Sequence, residues 1–284
     1  MEPNRPSLTA HRVAMLRAAH QILDEPRIFE NPVALKIIGA QSAADISSAP
    51  DKYKTTLATY LRAFLVARSR YAEDELSAAV MRGVRQYVIL GAGLDTFAYR
   101  NPYPAGTLRV FEVDHPSTQA WKRDRLDAER IPVPESLCFA PVDFEKEALE
   151  GKLLKAGFRT DETAFFSWLG VTMYLPPDAV MATMRSIASA AGRASEIVFD
   201  YALSPSRLGP GDASSYQTLT AAVAALGEPL RSAFDPDLLS ADLRAIGLTP
   251  AEDLGHDEIN ARYFKGRSDG LRVSGRTHLM KIIV

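Results

Sequence analysis

The chain has 284 residues, a formal net charge of −2 and a hydrophobic fraction of 46%. That length predicts one domain, a single core plus an elaboration, and the apolar content is ample to fill it. Interspersed charges of both signs argue against nucleic acid or an anionic membrane as partners. No stretch reaches the apolar length of a membrane span and the first residues lack the apolar run of a signal peptide, so a cytoplasmic protein is expected. The single cysteine, Cys138, excludes an internal disulfide and a cysteine-based metal cluster, and in Leu137-Cys138-Phe139 it is expected to be buried and structural. The histidines at 11, 20, 115, 256 and 278 show no ligand spacing, so no metal site is expected.

In chain order, residues 7 to about 83 read as helical. Ser7 is a candidate N-cap, and breaks fall near Asp24-Glu25-Pro26 and Ser47-Ser48-Ala49-Pro50. Strand candidates follow at 86–91, 107–114, 136–143, 163–170, 195–201 and 277–284, with a weaker one at 248–254. Strands separated by helix-forming stretches predict an α/β fold with a doubly wound, mostly parallel seven-stranded sheet. The stretch 202–235 breaks this rhythm. It opens Ser204-Pro205-Ser206-Arg207-Leu208-Gly209-Pro210-Gly211, turns alanine-rich and ends near Gly227-Glu228-Pro229. An insertion after a late strand lies at the carboxyl edge of the sheet, where such folds bind ligands, and it is read as a lid.

The first strand runs from Tyr87-Val88-Ile89-Leu90 into Gly91-Ala92-Gly93-Leu94-Asp95-Thr96. Glycines let the backbone approach a ligand closely, and a helix starting just afterwards would aim its N–H groups at an anion. The dinucleotide fingerprint requires a third glycine where Thr96 stands. Two glycines suit a nucleoside cofactor without a pyrophosphate, and S-adenosylmethionine is the common one.

The second strand ends Glu112-Val113-Asp114, its acids 21 and 23 residues beyond Gly91, near the spacing at which an acid meets a cofactor ribose. Both point to one face of a strand, so spacing does not choose between them. The third strand ends Val142-Asp143-Phe144, where an acid could accept from an adenine amino group and the ring could pack on the base. In the long helix before the sheet, Leu57, Tyr60, Leu61, Phe64 and Leu65 form an apolar stripe whose continuation is Arg68. An inward arginine needs an anionic partner. The cofactor's methionine carboxylate is one candidate, and a protein acid such as Glu73 is another. The aromatic residues of Phe165-Phe166-Ser167-Trp168 read as core. Tyr174, Asp200 and Tyr201 fall at the carboxyl edge, and Arg12 and Arg17 could steer an acidic substrate. Arg17, Tyr174, Asp200 and Tyr201 are therefore the acceptor-side candidates.

Taken together, Val88–Thr96, Phe111-Glu112-Val113-Asp114-His115-Pro116, Pro141-Val142-Asp143-Phe144, Tyr174-Leu175-Pro176, the Arg68 region and Gly227-Glu228-Pro229 carry a resemblance. The sequence resembles the leucine carboxyl methyltransferase-like family of class I S-adenosylmethionine-dependent O-methyltransferases, particularly bacterial members linked to polyketides and other small acids. The resemblance implies a Rossmann-like core over 84–284 with a helical cap from 1–83 and a lid at about 202–235. It further implies that Gly91 and Gly93 lie against the cofactor, that Arg68 binds its carboxylate, that Asp114 rather than Glu112 binds the ribose, and that Asp143 and Phe144 flank the adenine. Two departures stand out. Many members carry arginine where this chain has Phe97, and glutamate where it has Leu169, which favours a small-molecule acceptor over a protein C-terminus.

The expected reaction is in-line displacement of the sulfonium methyl group by a small-molecule nucleophile, leaving S-adenosylhomocysteine. A carboxylate is ionised at neutral pH and needs no base, which favours it over a phenol. Two rival readings stand beside it. A nicotinamide-dependent dehydrogenase would need a third glycine near 96 and a Ser/Tyr/Lys or His/Asp set, and neither is found. A non-catalytic S-adenosylmethionine-binding protein with a decayed pocket would account for Phe97 and Leu169.

Overall fold

The computed structural model describes residues 7–209, 217–218, 220–221, 224–225 and 227–284. Part of the expected 202–235 insertion therefore lies outside the described residues.

Helices α1 (Leu8–Leu23), α2 (Ala34–Ile38), α3 (Ala40–Ser48) and α4 (Thr56–Met81) precede strand β1 (Gln86–Leu90). There follow β2 (Arg109–Asp114), α5 (Pro116–Ala128), β3 (Leu137–Pro141), α6 (Leu149–Lys155), β4 (Ala164–Trp168), α7 (Pro177–Ala190) and β5 (Glu196–Ala202). The chain closes with α8 (Pro236–Ala245), β6 (Thr249–Leu254), α9 (His256–Tyr263) and β7 (Thr277–Ile283). Each expected strand is present, with ends displaced by no more than two residues.

The seven strands form one sheet in the order β3-β2-β1-β4-β5-β7-β6. β1 to β5 pair in parallel, and β7 runs antiparallel to both β5 and β6. The order reverses between β1 and β4, so the carboxyl ends of these strands open a crevice where the crossover helices part to opposite faces.

Side-chain alternation along the strands builds both faces. Tyr87 and Ile89 pack under α4 with Phe165, Val198 and Leu279. Val88 and Leu90 pack on the other face with Phe111, Phe166, Phe199 and helices α6 to α8. Phe165, Phe166 and Trp168 are fully buried, as expected for a strand covered on both sides. A third apolar cluster joins the N-terminal helices to α5 through Ala14, Ala18, Ile37, Ile38, Leu126 and Leu94, the last from the glycine turn. Arg62 of α4 reaches the end of α1, where its Nε and Nη2 donate to Asp24 at 2.6 and 2.9 Å. The N-terminal helices are thereby fixed beside the crevice.

Cys138 differs from its expectation. It lies on the edge strand β3, is only half-buried, and its sulfur receives Arg109 Nη2 at 3.8 Å.

Candidate active site

The turn after β1 is built on positive φ angles, 65° at Gly91 and 47° at Gly93. A side chain at Gly91 is excluded twice, because its Cβ would also sit 2.2 Å from Val171 Cγ2. The turn is tied to β2 by two backbone donors. Ala92 N–H donates to Val113 O at 3.0 Å, and Gly93 N–H donates to the Asp114 carboxylate. No α-helix begins directly after the glycines, contrary to the simplest reading of the motif. A short 3₁₀ turn, Phe97–Arg100, follows instead, and Asp95 just before it accepts from Phe97 N–H at 2.8 Å. Phe97 points into the core, edge-on to Tyr87 with ring centroids 5.0 Å apart.

The two acids of β2, which spacing left equivalent, part company in three dimensions. Glu112 is sealed beneath α5 against Lys122 Nζ at 2.7 Å, both side chains 1% exposed. Burial pushes the Glu112 carboxyl up to about 7, with Lys122 opposing. Asp114, one pleat further on, lines the crevice. Its oxygens accept from Gly93 N–H and, at 2.7 Å, from His115 N–H. Each carboxylate oxygen retains a second lone pair for a ligand hydroxyl. Burial raises the Asp114 carboxyl, and these two backbone donors hold the shift down.

The crevice runs between the ends of β1, β2, β3 and β4 and brings together Arg68, Gly91, Gly93, Asp114, Asp143, Phe144, Tyr174 and Arg17. Asp143 sits beyond Asp114, accepting from Lys146 Nζ at 2.9 Å and Glu145 N–H at 3.1 Å. The Phe144 ring packs on Trp168 at 6.1 Å between centroids. Across the crevice, Arg68 does face inward, but Glu73 is not its partner, because Arg100 takes Glu73. Arg68 Nη1 donates to Asp200 Oδ2 at 2.8 Å.

The acceptor-side candidates fare unequally. Tyr174 lines the crevice from a 3₁₀ turn after β4, its hydroxyl pushed up to about 12, mainly by burial. Arg17 lines it too, but as a strut. Its Nη2 donates to Leu94 O at 2.7 Å and its Nη1 to Asp95 at 3.3 Å, so its charge is spent on the glycine turn. Asp200 is 0% exposed and lies one layer behind Arg68. Tyr201 points away to the opposite face, where its hydroxyl donates to Asp253 at 2.7 Å, and it is not part of the crevice wall. Strand alternation is the reason: neighbours on β5 face opposite sides of the sheet. Arg12 is exposed on α1.

Sequence reasoning assigned no role to Glu228. It lines the crevice, and its carboxylate accepts from Leu8 N–H at 3.1 Å, Thr9 N–H at 3.0 Å and Ser7 Oγ–H at 3.2 Å. With Ser7 Oγ taking Ala10 N–H at 3.0 Å, the first three amides of α1 are satisfied. An N-cap pattern seen locally does not reveal an acid that arrives more than two hundred residues later. Arg231 completes this side, paired with Glu145 at 2.9 Å.

The crevice thus offers a glycine cradle, acids at the ends of β2 and β3, an aromatic ring, and an arginine at the opposite end. That donor set fits S-adenosylmethionine, whose diol, base and carboxylate are spread over a comparable sequence of groups.

Comparison with known proteins agrees. The family model described as leucine carboxyl methyltransferase matches residues 10–188. The chain is 34% identical over 303 residues to the inferred S-adenosyl-L-methionine-dependent methyltransferase YktD of Bacillus subtilis (strain 168), covering 100% of this chain and 99% of that one. It is also 34% identical over 197 residues, 68% of each chain, to an inferred methyltransferase of the same cofactor class, FRAAL3718, from Frankia alni. Among solved structures, a DUF574 family protein from Streptomyces avermitilis superposes with a TM-score of 0.59 at 13% identity, covering 95% of this chain and 96% of that one, a likeness of fold. No helix among the described residues is long and apolar enough to cross a membrane. The chain is an S-adenosylmethionine-dependent methyltransferase with a class I fold, and it belongs to the leucine carboxyl methyltransferase family.

Proposed function

We propose that the chain methylates an oxygen of a small-molecule acceptor, and that this acceptor is a carboxylate. When bound, S-adenosylmethionine supplies an activated methyl group, so the protein's task is alignment and exclusion of water. In this reading Asp114 holds the ribose hydroxyls, Asp143 and Phe144 flank the adenine, Gly91 and Gly93 allow close approach, and Arg68 holds the methionine carboxylate. Tyr174, Leu169 and Val171 form the wall nearest the acceptor, and the segment containing Glu228 and Arg231 roofs it as part of a lid.

One observation carries the carboxylate reading: every acid in the crevice wall is already engaged. Asp95 accepts from Arg17 and Phe97 N–H, and Asp114 from two backbone amides. Asp143 accepts from Lys146, Glu145 from Arg231, and Glu228 from the start of α1. His115, also in the wall, has its Nδ1 at 2.7 Å from Ser117 Oγ and its Nε2 toward Asp143, on the β2–β3 side. A phenol or alcohol would need a group free to take its proton. A carboxylate arrives ionised.

The test is a panel of small carboxylic acids and phenols incubated with methyl-labelled S-adenosylmethionine. The expected product is a methyl ester that releases labelled methanol in mild base. A base-stable ether as the main product would overturn the carboxylate assignment, and no transfer to any acceptor would favour a binding protein.

A further inference from the structure

We infer that Asp200 is a positioning residue for the cofactor's amino-acid end, acting through Arg68. The inference rests on the proposed role of Arg68 as the carboxylate ligand.

Arg68 is gripped from three directions. Its guanidinium lies 5.8 Å from the centroid of the Phe64 ring, one helical turn earlier on α4. Gly170, after β4, presents bare backbone, and a Cβ there would fall 2.5 Å from Arg68 Nη2. Asp200, two residues before the end of β5, takes Nη1 at 2.8 Å. The same carboxylate accepts Gly170 N–H at 2.5 Å through its other oxygen, so one side chain fixes both the arginine and the glycine it packs on. The Asp200 main-chain oxygen accepts Thr172 Oγ1–H at 2.6 Å, which locks the strand end to the turn that carries Tyr174.

Burial decides what this arrangement does. The Asp200 side chain is 0% exposed and that of Arg68 9% exposed. Asp200 is outside the crevice wall while Arg68 and Gly170 are in it. Asp200 is therefore a counter-ion that a ligand does not reach. A guanidinium carries five N–H donors in a rigid plane. With one arm pinned to a buried carboxylate, the plane is set before a ligand arrives, and the remaining donors are not free to wander along a flexible stem. An arginine so prepared binds a carboxylate without the rotamer loss that an unrestrained one would suffer.

The prediction is selective. Removing the Asp200 charge should weaken ligands that carry the amino-acid end and spare those that lack it. S-adenosylhomocysteine and 5′-methylthioadenosine form such a pair, sharing the adenosine and thioether and differing in the α-amino-carboxylate. Dissociation constants for both are measured by calorimetry on the wild type, Asp200→Asn, Arg68→Gln and the double variant. Asp200→Asn should bind S-adenosylhomocysteine about tenfold to a hundredfold more weakly, with 5′-methylthioadenosine unchanged. In the Arg68→Gln background, Asp200→Asn should add no further loss.

Equal weakening of both ligands by Asp200→Asn would make Asp200 a structural residue of the whole crevice and overturn the inference. So would an additional loss in the double variant over Arg68→Gln. If the single Asp200→Asn chain, with its unpaired buried guanidinium, does not fold, the comparison of Arg68→Gln with the double variant, in which both charges are gone, still decides. Failure of the underlying assignment reads differently: Arg68→Gln itself would leave S-adenosylhomocysteine binding intact.

Discussion

The carboxylate of Asp114 accepts the backbone N–H of Gly93, so the acid at the end of β2 and the glycine turn after β1 form one hydrogen-bonded unit. Asp114→Ala removes the acceptor for two buried backbone donors, Gly93 and His115, as well as any grip on a ribose. Binding of S-adenosylhomocysteine should weaken by about a hundredfold or more, with the far-ultraviolet circular dichroism of the fold retained. An unchanged dissociation constant in calorimetry would remove Asp114 from the cofactor site.

Gly91→Ala should destabilise the protein for two separable reasons. The residue sits at φ 65°, and the new Cβ would meet Val171 Cγ2 at 2.2 Å. The backbone strain alone costs about 1–2 kcal/mol, and the clash adds to it. Val171→Ala, which removes the offending methyl, should recover part of the loss in the double variant but not all of it. Urea denaturation of the four chains checks this. Full recovery would mean that the turn does not need its positive φ.

The Glu112–Lys122 pair makes stability depend on pH. Burial raises the native Glu112 carboxyl from its ordinary 4.5 to about 7. Between those values the native state holds a proton that the unfolded state has released, so stability falls as pH rises through this window. The contribution is fully present below the unfolded value and lost above the native one, and amounts to about 3 kcal/mol. The double variant Glu112→Gln with Lys122→Met should flatten the difference between unfolding free energies measured at pH 5 and pH 8. Identical slopes in the two proteins would show that Glu112 is ionised throughout.

Arg17 separates a strut from a steering charge. Its donors go to Leu94 O and Asp95, under the glycine turn, and its side chain is 10% exposed. Arg17→Ala leaves Asp95 without this partner and should cost roughly 3 kcal/mol of stability. The KM for an acidic acceptor should stay within about twofold at a temperature where the variant is folded, since steering by an already paired charge is weak. A stable variant with a sharply raised acceptor KM would restore the steering role.

These residues also mark what sequence reading reaches. The placing of Asp114 and Asp143 in the crevice was legible because Asp114 ends β2 and Asp143 follows β3 by two residues, and parallel strands deliver their carboxyl ends to one edge. The core role of Phe165, Phe166 and Trp168 followed from a continuous apolar run. Arg68 was legible as an inward charge, but its partner was not. Glu73 lies five residues away and Asp200 is 132 residues distant, and the choice depends on the rotation of α4 over the sheet. Tyr201 looked equivalent to Asp200 beside it, yet the pleat sends it to the other face.

By itself, the sequence determined the elements, the parallel core and the placing of glycines and acids at one edge of the sheet, because hydrophobic period, turn residues and strand-end acids act over short stretches of chain. Only the tertiary structure decided which partner each charge finds: Arg68 pairs with Asp200, Arg100 with Glu73 and Arg17 with Asp95, while Glu228 takes the backbone amides at the start of α1. An ion pair depends on the distance and burial of two groups, and for residues far apart in the chain those are set by how helices and sheet pack, which no local pattern encodes.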